Sequence, residues 1–178
     1  MIDARILSRL EEKGVASCLI GAAALAVHGY ARYSADVDLL VMDRRVLASD
    51  FWSGCGDPQI RPGESDDPLL GVVRWQSPEP IDVVVNDDYA SRYALRTAEP
   101  AAGVPARVAT PTGLVLLKLE AGGRLDAHDV VALVEVQRAL NGAPWLADLP
   151  GEVLHLRSEA RVLWSRLAAD LAPSVPKT

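Results

Sequence analysis

Ile2, Ile6, Leu7 and Leu10 fall at helical spacing and predict an opening helix. The polar run Glu11-Glu12-Lys13 follows, and Gly14 supplies a stop. Residues 16–20 form a short apolar run that reads as a buried strand. Gly21 breaks it, and the small residues of 22–27 predict a tight, Ala-rich helix ending near Gly29. Residues 36–42 predict a second strand whose alternation is informative. Asp36, Asp38 and Leu40 share one face; Val37, Leu39 and Val41 share the other.

Residues 44–51 predict a helix, and the Gly-, Pro- and acid-rich residues 54–67 predict a loop. Residues 70–76 and 81–85 predict two strands joined through Ser77-Pro78-Glu79-Pro80 in a hairpin-like turn. A short helix is expected over 88–95, and a strand over 101–109, interrupted at Pro105. The character then changes. Thr110-Pro111 is a helix start, with Thr as cap and Pro at the first helical position. That helix runs through 114–121 to Gly122-Gly123. Residues 126–140 predict a second helix, with Leu133, Val136 and Leu140 on one stripe. Residues 152–171 predict a third, burying Val153, Leu156, Ala160, Leu163 and Leu167.

The pattern implies an α/β (α+β) protein: a short mixed, mainly antiparallel sheet with flanking helices and a C-terminal helical unit. Residues 1–109 form the α/β core and 110–178 the helical unit packed on it, a division that one continuous domain also accommodates. No internal repeat or low-complexity tract is visible.

Bulk composition narrows the function classes. The 178 residues suffice for one real core, and the 49% hydrophobic fraction is that of a globular chain. The chain has a single Phe, so Leu, Val and Ala must fill that core. A formal charge of −6 argues against a tight, non-specific grip on bulk DNA or RNA, though not against a local basic pocket. The acidic runs Glu64-Ser65-Asp66-Asp67 and Asp87-Asp88 read as solvated loops. Cys18 and Cys55 have no CxxC spacing, so neither a disulfide framework nor a zinc site is expected, and Cys18 reads as a small core residue. No signal peptide and no membrane-spanning run are expected, which places the protein in the cytoplasm.

Three carboxylates stand where strands are predicted. On a strand, Asp36 and Asp38 lie on one face, roughly 6.5–7 Å apart at the backbone. Two such acids repel, and burying them unpaired is unfavourable. Asp82 sits inside the apolar run Pro80-Ile81-Asp82-Val83-Val84-Val85 and meets the same difficulty. Divalent cations resolve it: Mg²⁺ (or Mn²⁺) takes oxygen ligands and keeps positions for phosphate oxygens. Two metals on three carboxylates suit phosphoryl or nucleotidyl transfer, with Asp82 also able to accept the nucleophile's proton. Upstream, Gly21-Ala22-Ala23 lies where a strand becomes a helix, so backbone N–H groups are open to phosphate.

These residues resemble the DNA polymerase beta-like nucleotidyltransferase superfamily. That pattern has Gly-Ser or Gly-Gly, a spacer, Asp-x-Asp, and a later carboxylate. Here it reads Gly21-Ala22, thirteen residues, Asp36-Val37-Asp38, then Asp82. The run LIGAAALAVHGYARYSADVDLLV, residues 19–41, looks like the branch that contains AbiEii-type toxins, through His28, Gly29, Arg32, Ser34, Asp36 and Asp38. LLKLEAGGRLDAHDV, residues 116–130, is similar to that branch's Lys-then-Arg-x-x-Asp-x-x-Asp stretch, through Lys118, Arg124, Asp126 and Asp129, with one residue in place of two between Arg124 and Asp126.

The resemblance implies a nucleotidyltransferase fold. It also implies transfer of a nucleoside monophosphate from a nucleoside triphosphate to a hydroxyl of RNA, protein or a small molecule. Asp36, Asp38 and Asp82 would serve as catalytic metal ligands. Gly21, Ala22, Arg32, Ser34 and Lys118 would contact the nucleotide. A place in a toxin–antitoxin or phage-defence system, with a cognate partner protein, is implied too.

Other readings of the same residues stay open. Arg32 serves equally as a phosphate contact or a partner of Asp36. Lys118 is a nucleotide contact or a snorkelling lysine. Asp126 serves the helix N-terminus, and His28 caps or packs. Ala22 stands where the pattern has Ser or Gly and brings no hydroxyl. That departure supports the rival readings, a degenerate nucleotide-binding module or an antitoxin-like interaction protein.

Overall fold

The computed structural model describes residues 2–64, 67, 69–76 and 80–171. Its centre is a mixed seven-stranded sheet in the order β3-β4-β5-β2-β1-β7-β6. The strands are β1 (Ser17–Ile20), β2 (Val37–Val41), β3 (Gln59–Pro62), β4 (Gly71–Trp75), β5 (Ile81–Val85), β6 (Glu99–Pro100) and β7 (Arg107–Val108). Four of the pairings are antiparallel; β2 with β5 and β1 with β7 are parallel.

The central parallel pair carries the period-2 pattern in full. Leu39, Val41, Val83 and Val85 turn to one face and are completely buried. On that side Trp75 stacks edge-on with Trp52, ring centroids 4.7 Å apart, and Trp52 with Phe51 at 4.8 Å. The opposite face carries Asp38, Leu40, Asp82 and Val84.

The helices are α1 (Ala4–Glu12), α2 (Gly21–Val27), α3 (Tyr89–Thr97), α4 (Pro111–Ala121), α5 (Arg124–Asn141), α6 (Leu149–Val153) and α7 (Ser158–Leu171). Helix α4 is the hub, packing against α3, α5, α6 and α7. It is apolar on almost every side, as a helix enclosed by others must be; Leu114, Val115, Leu116 and Leu119 are all buried. Thr110 caps it by accepting the Gly113 N–H at 3.3 Å, Pro111 opens its first turn, and Gly122 ends it at φ +70°. The crossing with α3 is close: a Cβ on Gly113 would stand 3.1 Å from the Ala94 Cα.

Four local expectations need correction. Residues 44–51, predicted as a helix, form two 3-10 turns, Arg44–Leu47 and Ser49–Trp52, with Ala48 extended between them. The Trp52 indole N–H bonds the Val46 carbonyl at 2.7 Å and holds that break. Within the predicted loop 54–67, β3 pairs with β4. An edge strand bonds on one side only and tolerates polar side chains and a proline, so Gln59, Arg61 and Pro62 disguise it. The strand predicted over 101–109 shrinks to Arg107–Val108, with Glu99–Pro100 beside it.

The single helix predicted over 152–171 is two, α6 and α7. The backbone N–H of Arg157 goes to the Glu120 carboxylate at 2.9 Å, and the Arg157 side chain pairs with the same group at 2.7 Å. That tertiary contact interrupts the helical ladder. Ser65 and Asp66 of the acidic run, and Ser77, Pro78 and Glu79 of the predicted turn, lie outside the described residues. Among the described residues no helix is long and apolar enough to cross a membrane.

Candidate active site

Asp36 stands one residue before β2, and Asp38 lies within it. The parallel register sets Asp38 beside Asp82 of β5, and the antiparallel register sets it beside Ile20 at the end of β1. Ligand oxygens of Asp36, Asp38 and Asp82 all lie within 4.8 Å of one another. The same-face spacing of the Asp-x-Asp pair thus meets the third acid on the neighbouring strand. Ser34 donates its hydroxyl to Asp36 Oδ1 at 2.8 Å and orients that carboxylate.

Gly21 opens α2 directly against this cluster. Its φ is +64°, and a Cβ there would fall 2.0 Å from Asp38 Oδ2. Only glycine provides both the left-handed backbone and the space. The Ala22 side chain is buried, so this residue offers a ligand its backbone alone.

Among the described residues no donor reaches the Asp38 carboxylate. Burial, followed by the charges of Asp36 and Asp82, pushes its pKa up to about 6; Lys118 and Arg32 oppose the rise. Asp82, almost fully buried, is differently placed. Arg74, facing it across the β4–β5 pair, donates Nε to Oδ1 at 2.7 Å and Nη2 to Oδ2. The same Nη2 is 4.0 Å from Asp36 Oδ2.

Sequence reasoning missed Arg74. Its signal was a lone cation between buried Val73 and Trp75, but its partner depends on the β4–β5 register. Three carboxylates against one guanidinium give the cluster a formal charge of −2. An all-oxygen donor set with that charge fits a hard divalent cation.

A second charged cluster stands on the helical side. Asp129 of α5 is fully buried and accepts Arg32 Nε at 2.9 Å and Nη2 at 3.1 Å. Lys118 Nζ lies 2.9 Å from Asp129 Oδ2 and 2.7 Å from Asp126 Oδ1. Arg32 therefore pairs with Asp129, not with Asp36. Asp126 also accepts the Gly123 N–H at 3.1 Å, which anchors the start of α5. His28 Nε2 meets the Ala109 carbonyl at 2.8 Å and is a packing residue. Cys18 is buried in the core, and that burial raises its thiol to about 12.

A cleft of about 670 Å³ touches both clusters, through Asp38 of the first and Lys118 and Asp126 of the second. Leu40, Val84, Leu114 and Leu117 give it an apolar lining, and Asp38 and Lys118 line it too. Its lining also includes Arg157 and Tyr89 stacked on His155, ring centroids 4.6 Å apart.

No protein-family model matches the sequence, and no curated protein matches it either. Solved structures do. The antigenic nucleotidyltransferase-like protein of Paracoccidioides brasiliensis aligns at TM-score 0.51 and 18% identity, over 93% of this chain and 85% of that one. The antibiotic-resistance factor ANT(2'')-Ia in solution aligns at TM-score 0.51 and 14% identity, over 94% and 90%. Its complex with adenylyl-2''-tobramycin aligns at 0.50 and 14%, over 94% and 95%. At such identities the likeness is one of fold, and the fold is that of the nucleotidyltransferases.

Proposed function

We propose that the chain is a divalent-metal-dependent nucleotidyltransferase that moves a nucleoside monophosphate from a nucleoside triphosphate to a hydroxyl and releases pyrophosphate. The observation that carries this reading is the convergence of Asp36, Asp38 and Asp82 within 4.8 Å of one another, with Asp38 lining a cleft that Lys118 also lines. Mg²⁺ or Mn²⁺ held by these carboxylates supplies a lowered pKa at the attacking hydroxyl and neutralises charge on the departing pyrophosphate.

In this reading the chain's own residues hold and orient. Ser34 fixes Asp36, and Gly21 leaves the space that Asp38 occupies. Gly21 and Ala22 offer backbone to phosphate. Lys118 and Arg32, braced by Asp129, present positive charge to the triphosphate. Asp82 takes the proton of the nucleophile, which requires one of its two bonds to Arg74 to open.

The ANT(2'')-Ia structures, one with adenylyl-2''-tobramycin, support a small hydroxylated acceptor such as an antibiotic. RNA and protein hydroxyls are the other acceptor classes. The AbiEii-like motifs at residues 19–41 and 116–130 support a role in phage defence or a toxin–antitoxin pair acting in the cytoplasm. Expression causing growth arrest that Asp36→Asn relieves would support that role. A second reading, nucleotide binding without turnover, is favoured by Ala22, which lacks the hydroxyl of the superfamily pattern.

Incubation with labelled nucleoside triphosphates and Mg²⁺ or Mn²⁺ tests the enzyme reading, with cell RNA, cell protein and aminoglycosides as acceptors. Label should transfer with wild type and fail with Asp36→Asn. Equal labelling by both proteins overturns the assignment. Triphosphate binding by wild type without labelling by either favours the second reading.

A further inference from the structure

Arg74 sits inside the carboxylate cluster, and neither the spacing of the acids nor the cleft explains it. It lies directly opposite Asp82 on neighbouring antiparallel strands, where side chains of one face stand about 5 Å apart. Its guanidinium engages both oxygens of Asp82 through parallel N–H donors, the strongest geometry a carboxylate accepts. Its Nη2 also faces Asp36 at 4.0 Å. Asp82 is 7% exposed at the side chain and Arg74 44%, so the cation covers the acid from the solvent side and is free to swing outward.

A divalent cation bound to Asp82 needs those same oxygens at about 2 Å. Metal and guanidinium would then share one carboxylate, and the two positive charges repel. Arg74 therefore competes with metal for Asp82. Once displaced, its N–H groups need new acceptors. A triphosphate held at the same carboxylate corner offers planar pairs of anionic oxygens matched to the guanidinium fork.

We propose that Arg74 is an internal counter-ion that holds Asp82 until metal and triphosphate arrive together, yielding the carboxylate to the metal and turning to the phosphates. The site thus takes up metal with its nucleotide and binds metal alone weakly. This rests on the metal-site reading above. A purely structural Arg74, present only to keep buried Asp82 paired, would behave in the opposite way toward metal.

Calorimetric titration with Mn²⁺ alone, on the intact chain, separates the two. Arg74→Gln should bind Mn²⁺ about tenfold more tightly than wild type. Arg74→Lys, which keeps the charge and loses the fork, should fall between them. Without metal Arg74→Gln should melt lower, and Mn²⁺ should raise its melting temperature more than that of wild type. At saturating Mn²⁺, α,β-methylene-ATP should bind several-fold more weakly to Arg74→Gln.

Unchanged or weaker Mn²⁺ affinity in folded Arg74→Gln overturns the competition. If that variant does not fold, Arg74→Lys with wild-type Mn²⁺ affinity does the same. Unchanged affinity for the analogue overturns the transfer to phosphate. Asp38→Asn serves as the reference. If wild type, Arg74→Gln and Asp38→Asn all fail to bind Mn²⁺, the metal-site reading itself falls and this inference with it. Binding that only Asp38→Asn loses leaves the metal site standing whatever Arg74 does.

Discussion

Two charged clusters each contribute side chains to one cleft, and they solve opposite problems. On the helical side, Arg32 and Lys118 meet Asp126 and Asp129, so charges balance and the buried Asp129 is satisfied from two directions. On the sheet side, three carboxylates share one guanidinium, and Asp38 has neither an ion pair nor a hydrogen-bond donor among the described residues. Balance immobilises; the first cluster ties α4 and α5 to the loop bearing Arg32. Imbalance leaves affinity for a cation; the second retains a charge that the proposed metal would neutralise. Both lie in partly desolvated surroundings, where pairing and its absence are felt more strongly than in water.

The contrast can be broken most severely on the sheet side. On the proposed reading, Asp36→Asn removes a charged metal ligand at the point where transition-state charge builds. The rate of nucleotidyl transfer should fall on the order of a thousandfold, roughly 4 kcal/mol, with nucleotide affinity less affected. Single-turnover labelling beside a binding titration checks this; equal losses in both place Asp36 in ground-state binding instead.

Next in size is Asp129→Ala on the balanced side. It leaves Arg32 and Lys118 facing each other across a buried site, which should destabilise the protein by about 3 kcal/mol. Thermal denaturation should show a drop on the order of 10 °C. A drop of one or two degrees would mean that the cluster is not the anchor its geometry implies.

Gly21→Ala tests the junction between backbone and carboxylate. The left-handed φ and the 2.0 Å approach to Asp38 Oδ2 act together, and the expected loss is about 2 kcal/mol. Mn²⁺ affinity should fall with it, because Asp38 has to move. Stability and Mn²⁺ affinity both at wild-type values would show that the backbone relaxes freely.

The smallest effect has the opposite sign. The folded-state pKa of Asp38, about 6, exceeds the unfolded value near 4, so the native state binds the extra proton in between. The neutral carboxyl is therefore tolerated below about pH 4, and stability is lost as the pH rises from there to 6. Asp38→Asn in metal-free buffer should flatten this slope and leave stability at pH 7 equal or higher by about 1–2 kcal/mol, allowing for solvent screening. Melting curves from pH 4 to 7 in EDTA measure it. A marked loss of stability at pH 7 would reveal a hydrogen-bonded partner for Asp38.

Features set by local chemistry were legible in the order of residues alone. Thr110-Pro111 and Gly122 bounded α4 because caps act within a few residues. The alternation of residues 36–42 put Asp36 and Asp38 on one face because a strand's period is two, and the apolar run around Asp82 marked β5. Polar edges were illegible: β3 is exposed, and nothing in its composition distinguishes it from loop. The break between α6 and α7 was hidden too, since it depends on Glu120, 37 residues before Arg157.

The choice of ionic partners belonged to the packed molecule. Arg32 could have met Asp36 or phosphate, and it meets Asp129, 97 residues away. Arg74 reached Asp82 only because the β4–β5 register aligned them, and a shift of one residue would have turned Arg74 to the buried face. Local rules act over a turn of helix or a step of strand. Ion pairs between distant elements depend on how those elements pack, and one chain's order of residues does not display that.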